Sequence, residues 1–355
     1  MDERIRSFFK FDSMGRREFL GFSLLSMLFL AGCKVFGVSL PSVGSRRPLR
    51  RIAFGSCMQQ SDPQPIWDVI GAADPDLFLF IGDNVYADTE DMAQMQRDYD
   101  MLGAKPEFQR FRAAVPVEAI ADDHDYGIND GGIEYPKKQE SKQIMLDFFG
   151  EPKDSQRRRR PGNYTSYIHG APSQSVQVIL MDLRWFRTAL VSTETGYVPN
   201  PDPNACMLGE AQWAWLEQEL RKPARVRVIV STTQFSSPDH PWEKWANFPL
   251  EKARMLALLD RLHVRNAIFI SGDMHFAELS AEKTPGGFTL YDLTSSGMNF
   301  YETGAHYPNR NRLAIHDTSP NFGMLEFAWE ESRVIVSLQA RNEKGETVIR
   351  KDIAL

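Results

Sequence analysis

Cysteine is scarce in this sequence, with only Cys33, Cys57 and Cys206 among 355 residues. Cys33 closes an apolar N-terminal stretch, so the folded part keeps two, enough for one bridge in an oxidising compartment and no more. Excess positive charge is also missing. The 41 Lys and Arg stand against 47 Asp and Glu, a net charge of −6, which gives no support to specific nucleic-acid binding. The apolar stretch from about Phe19 to Leu30 is too short for a comfortable membrane span. There is no GxSxG elbow and no Gly-rich loop ending in Lys-Ser/Thr, which removes the serine-hydrolase and P-loop readings. An EF-hand frame beginning at Asp123 fails at its sixth position, where Ile128 stands in place of Gly.

What is present divides the chain in three. Residues 1–33 have a basic pair, an apolar core and small residues before Cys33, the shape of a secretory signal. Arg16-Arg17 followed by Glu18-Phe19-Leu20 resembles a twin-arginine export signal, and Leu30-Ala31-Gly32-Cys33 resembles a lipobox. Cys33 would then be lipidated, anchoring the protein in the bacterial periplasm or cell envelope; an uncleaved anchor helix is the other reading. Residues 34–50 read as a tether, with Pro, Gly and Ser and no sustained period. Residues 51–355 form the folded domain, expected to be a monomer.

Short apolar runs alternate with amphipathic segments through that domain. Strands are expected at Arg51–Gly55, Leu77–Ile81, Val117–Ala121, Val176–Met181, Val226–Val230 and Ala267–Ile270, with helices such as Pro65–Gly71, Lys137–Phe149, Gly209–Leu220 and Leu250–Leu262. The fold class is α/β with a substantially parallel sheet. After Phe288 come strands without helices, read as antiparallel additions that give mixed sheets.

Five of these strands end alike. The runs reach Cys57, Asp83, Asp123, Gln234 and Asp273, with His275 two residues beyond the last. Ligands gather beyond the carboxyl ends of such strands. One Asp there means little, because Asp is common in turns, but five strand ends point to one shared site. Asp and His suit borderline or hard cations, and a thiolate adds affinity for iron or zinc. A bridging carboxylate would allow two ions, the arrangement of two-metal hydrolases.

Gly82-Asp83-Asn84-Val85-Tyr86 looks like the GDxxY element of metallophosphatases related to purple acid phosphatases. Together with GSC at 55–57, DDHD at 122–125 and SGDMH at 271–275, it resembles the PhoD-like alkaline phosphatase family of the calcineurin-like superfamily. The resemblance covers about residues 50–340. It implies an αββα sandwich of two mixed β-sheets flanked by helices, and hydrolysis of phosphomonoesters or phosphodiesters by a metal-activated hydroxide. By the same resemblance, Cys57, Asp83, Tyr86 and His275 would hold Fe(III), with Asp83 bridging. Asp123, Asp273 and Gln234 would complete a second site for Ca2+; Zn2+ or Mn2+ are alternatives. Family members often have histidine where Gln234 stands. Many also carry an extra β-rich domain ahead of the catalytic one, whereas here the catalytic pattern starts directly after the tether, implying a more open cleft.

Around these ligands, His124 is placed as the proton donor to a leaving alkoxide, or else as a neutral turn histidine. Asp122 and Asp125 are supports of the site, and Asn129 a polar contact to it. Arg184 and Arg187 follow a strand and are candidates to grip phosphate oxygens through the bidentate fork, or to form surface salt bridges. The run Arg157–Arg160 is a solvated loop or an attractor of anions. Two alternatives stay open: a metal-binding surface lipoprotein of the same fold without turnover, and a Cys57–Cys206 disulfide that would take the thiolate from the site.

Overall fold

The computed structural model describes residues 47–304 and 306–355. The export signal, the lipobox with Cys33 and most of the tether lie outside the described residues. Within the stretch read as tether, Leu49 packs into the core, and its carbonyl accepts from Trp329 Nε1 at 2.9 Å. No helix among the described residues is long and apolar enough to cross a membrane.

The strands run in chain order as follows. First come β1 (Arg51–Gly55), β2 (Leu77–Ile81), β3 (Val117–Ile120), β4 (Thr165–His169) and β5 (Val176–Leu180). A small hairpin, β6 (Val191–Thr193) and β7 (Gly196–Val198), precedes β8 (Val226–Ser231) and β9 (Ala267–Ser271). Then follow β10 (Ala277–Lys283), β11 (Thr289–Ser295), β12 (Arg312–His316), β13 (Asn321–Trp329), β14 (Val334–Asn342) and β15 (Thr347–Ala354). One sheet has the order β15-β14-β13-β1-β2-β3, the other β12-β10-β11-β9-β8-β5-β4. Both are mixed. β1, β2 and β3 are parallel, as are β5, β8, β9 and β11, and antiparallel strands complete each sheet.

Period-two alternation explains the layering. Ile52, Phe54, Leu77 and Leu79 face inward, meeting Val178, Leu180, Val228 and Ile268 of the other sheet in one continuous core. Ala53, Phe78 and Phe80 face the opposite way, under Trp67, Phe108, Phe111 and Met145 from the helices of that side. Ile179, Ile229 and Phe269 do the same beneath helices Gly209–Leu220 and Pro249–Arg261. Strands buried on both faces read as unbroken apolar runs, which is why VIVST and LFLFI stand out in the sequence. The result is the expected αββα sandwich.

The later strands differ from expectation in one respect. β13, β14 and β15 are antiparallel additions, but β11 lies parallel to β9. The chain leaves β9, skips one place to lay down β10, and returns through the gap as β11. Being antiparallel to β10, it must run with β9.

On the outer face of the first sheet, Trp67 meets Phe78, Phe80, Phe108 and Phe111 with ring centroids 5.2, 5.7, 4.9 and 5.0 Å away. Trp67→Ala should therefore destabilise the domain by about 3–5 kcal/mol through loss of transfer energy and the cavity left behind, readable as a lowered midpoint in urea unfolding.

Candidate metal centre and catalytic cleft

The carboxyl ends of β1, β2, β3 and β9 converge on a buried cluster. Oxygens of Asp83, Asp122, Asp123 and Asp273 lie within 4.8 Å of one another. Cys57, Asp83 and His275 form a second set within the same limit, as do Asp83, Asp123 and His124. Asp83 belongs to all three. The Tyr86 hydroxyl stands 3.1 Å from His275 Nε2, and the Cys57 thiol donates to Asp83 Oδ2 at 3.3 Å. Of the residues proposed as ligands, six are thus assembled. Gln234 is buried, and its amide nitrogen donates to Glu278 (2.9 Å) and Thr294 (2.8 Å), neither of which belongs to the cluster, while its Oε1 has no hydrogen-bond partner. Cys57 and Cys206 are both free, so no disulfide takes the thiol.

The backbone is bent to make this convergence. Cys57, Asp83, Asp273 and His275 all have positive φ, at 60°, 47°, 72° and 60°. That region is uncommon for side-chain-bearing residues and costs on the order of 1–3 kcal/mol each, so it persists only where surrounding structure imposes it. Each sharp turn at a strand end throws its ligand sideways into the gap between the two sheets. Gly82 permits the closest approach: a Cβ there would lie 2.5 Å from that of Asp122.

The electrostatics fit a cation. Asp83 Oδ1, Asp123 Oδ1 and Asp122 Oδ2 are buried without a hydrogen-bond partner. Burial, then the charges of Asp123 and Asp122, push Asp83 and Asp273 well above the usual carboxylate range. Burial, followed by the Asp83 charge, pushes the Cys57 thiol up as well. Orphaned carboxylate oxygens facing one another beside a thiol, a phenol and an imidazole form a donor set that suits borderline and hard metal ions.

The protein supplies only part of the counter-charge. Arg184 is fully buried, with Nε donating to Asp122 at 2.5 Å, Nη1 to Glu243 at 2.5 Å, and Nη2 3.7 Å from Asp123. The expectation that its fork grips substrate phosphate is therefore corrected: Nε and Nη1 are committed to carboxylates that they hold in the cluster, and only Nη2 lacks a hydrogen-bond partner. Arg187 is equally buried, 3.0 Å from Glu243, and also donates to the Asp130 carbonyl. Neither is a surface salt bridge. The Arg157–Arg160 run is not a solvated loop either, since Arg157 and Arg158 are buried and hydrogen-bond backbone carbonyls.

The supports expected in DDHD are in place. Asp122 also accepts from Thr232 Oγ1 at 2.6 Å, and Asp125 accepts from the Asp122 amide at 2.7 Å and the Tyr99 hydroxyl at 3.1 Å. Asp125 thereby closes the helical turn Asp123–Tyr126 that aims Asp123 and His124. For His124, burial works against the charged form, but the hydrogen bond to Asp88 (2.7 Å) and the charge of Asp123 outweigh it and raise the imidazole to about 9. Its ring lies 4.2 Å from that of Tyr86.

A cavity of about 310 Å³ opens over this centre, lined among others by His124, Asn129, Asp273, His275, Trp242 and Tyr307. A slightly larger recess of about 340 Å³, near Arg50, Asp76 and His169, gathers none of the clustered ligands, so size alone does not mark the site. Sequence reading missed Asp88, Glu243 and Thr232. Asp88 was open to detection, five residues after Asp83 in the same loop. Glu243 and Thr232 are identified by folded contacts alone.

Comparison with known proteins follows the same line. The family profile described as PhoD-like phosphatase matches residues 52–309. Among solved structures, one titled "Structure of PhoD" is similar at TM-score 0.66 and 16% identity, covering 88% of this chain and 74% of that one. A dimetal phosphatase from Danio rerio is similar at TM-score 0.50 and 14% identity, covering 86% of this chain and 98% of its own. No curated protein matches the sequence.

Glu243 is the shared partner of two buried guanidinium groups. Glu243→Gln should cost about 3–5 kcal/mol, because it strands Arg184 and Arg187 rather than removing the whole network. Chemical denaturation of the metal-free protein would reveal it.

Proposed function

The chain belongs to the PhoD-like phosphatase family, and on that premise we propose that it is a hydrolase that cleaves phosphomonoesters and phosphodiesters at the Asp83-centred cluster. It is a metal-dependent phosphoesterase. The observation that carries the finer reading is the convergence of Asp83, Asp122, Asp123 and Asp273, the first three with unpartnered buried oxygens, at a cavity bordered by His124.

Cys57, Tyr86, His275 and Asp83 would hold a ferric ion, and Asp123 and Asp273 with Asp83 a harder ion such as calcium; thiolate and phenolate match the first, carboxylates the second. Bound there, the ions supply an activated water and neutralise charge on the phosphate oxygens. The chain's own residues do the rest. Arg184 and Thr232 fix Asp122, and the Asp130 amide fixes Asp123 Oδ2 at 2.7 Å, so the carboxylates keep their places as charge changes. Asp88 accepts from His124 Nδ1 and orients the ring, leaving Nε2 to deliver a proton to the departing alkoxide. Asn129 offers a polar contact at the cavity wall.

The N-terminal motifs support export by the twin-arginine route and lipid attachment at Cys33, which would hold a monomer at the cell-envelope membrane. Cys33→Ala should then shift the protein from the membrane to the soluble fraction on cell fractionation; an unchanged distribution argues against lipidation.

Metal analysis combined with assays of an aryl monoester and an aryl diester tests cofactor and reaction together. Asp83→Asn is expected to lower turnover by about 100-fold or more and to reduce bound metal. Near-normal turnover with metal retained would refute the assignment. His124→Ala is expected to slow alkyl esters by about 10²–10⁴-fold and activated aryl esters much less, since a good leaving group needs no proton. Equal losses on both would exclude the acid role.

A further inference from the structure

The cavity has two chemically unlike sets of lining residues. Asp273, His275 and His124 belong to the ligand cluster, while Trp242, Tyr307 and Glu302 do not, although the Glu302 amide donates to the His275 carbonyl at 2.8 Å. Trp242 is 47% exposed, unusual for so large an apolar side chain. Its ring and that of Tyr307 meet edge to face, with centroids 5.8 Å apart and planes at 88°, so they form two walls of a corner. A flat base would be held better between parallel rings; a corner suits a compact, rounded group.

The charged side chain beside this corner is acidic. The Tyr307 hydroxyl donates to Glu302 at 2.8 Å, which draws negative potential to that ring. No Lys or Arg side chain lines the cavity, while Lys244 and Arg312 reach only the main chain of the corner, donating to the Trp242 and Tyr307 carbonyls at 3.0 and 2.6 Å. Glu243 is neutralised by Arg184 and Arg187, and Asp130 accepts from the Tyr197 hydroxyl, whereas Glu302 has no ion-pair partner among the described residues. A cation at this corner gains the Glu302 carboxylate and the faces of the indole and phenol.

We propose that Trp242, Tyr307 and Glu302 recognise the alcohol half of the substrate, and that this half carries an alkylammonium group. The favoured substrates are then phosphate esters of quaternary-ammonium or amino alcohols, whose phosphate and cation are separated along the cavity. This inference rests on the phosphoesterase reading above.

The test compares choline phosphate with 3,3-dimethylbutyl phosphate, its uncharged carbon isostere, using the metal-loaded full chain and measuring released phosphate. p-Nitrophenyl phosphate serves as the reference ester. The expected result is a kcat/KM about tenfold higher for choline phosphate, carried mainly by KM. Trp242→Leu and Glu302→Gln should each bring that ratio towards one. Tetramethylammonium should quench tryptophan fluorescence in the unaltered protein and fail to do so in Trp242→Leu. Equal kcat/KM for the two isosteres, with p-nitrophenyl phosphate still cleaved, overturns the ammonium proposal and leaves the phosphoesterase reading intact. If neither these three monoesters nor bis(p-nitrophenyl) phosphate is cleaved, the phosphoesterase reading fails and this inference falls with it.

Discussion

The repulsion among four clustered carboxylates is the constraint on which the rest of the structure depends. Asp83, Asp122 and Asp123 are buried, Asp273 sits beside them at the cavity wall, and like charges at such distances cannot all ionise unless cations stand among them. The fold provides two, Arg184 and His124. Arg184 reaches Asp122 directly and lies beside Asp123, and with His124 it holds Asp123 below the ordinary carboxylate range although burial alone would raise it. Asp122, Asp83 and Asp273 are pushed up all the same, burial being the largest cause for each. The cluster as a whole calls for external positive charge.

Arg184 could not stand in that place unsupported. Glu243 balances it from the other side, and Arg187 balances Glu243, so alternating charges continue from the cluster to Glu243 at the cavity wall and on to Arg187. Such a network contributes little net stability beyond what apolar residues would give, because desolvation offsets attraction. Its value lies in geometry: it fixes Asp122 beside Asp83 Oδ1 and Asp123 Oδ1, which have no hydrogen-bond partner. His124 is arranged by a second pair, with Asp88 behind the ring and Tyr86 against its face.

Much of this was legible in the sequence, for identifiable reasons. Strands buried on both faces leave unbroken apolar runs, so LFLFI and VRVIVS declared themselves, and a ligand candidate, Asp83 or Gln234, lay two or three residues beyond each run. The local signals at GDNVY and DDHD pointed to residues that the fold brings together, because those residues lie within a few positions of a strand end. What escaped reading depends on contacts remote in sequence. Arg184 looked like a phosphate clamp because an arginine after a strand carries no mark of whether its partner is substrate or a buried glutamate 59 residues on. Likewise β11 could not be known as parallel to β9 without knowing that β10 skips a place.

Four residues of the candidate metal cluster sit on left-handed backbone, so the donor set and the chain direction are set by the same residues. Cys57, Asp83, Asp273 and His275 each belong to the cluster and to a turn. Threonine or valine at any of them would bring β-branched crowding to a conformation that disfavours it, while asparagine or glycine would settle there easily. Drift at these positions should accordingly run towards asparagine and glycine, preserving the turn after the ligand is gone. A descendant that had lost its chemistry would still wear the shape of the site.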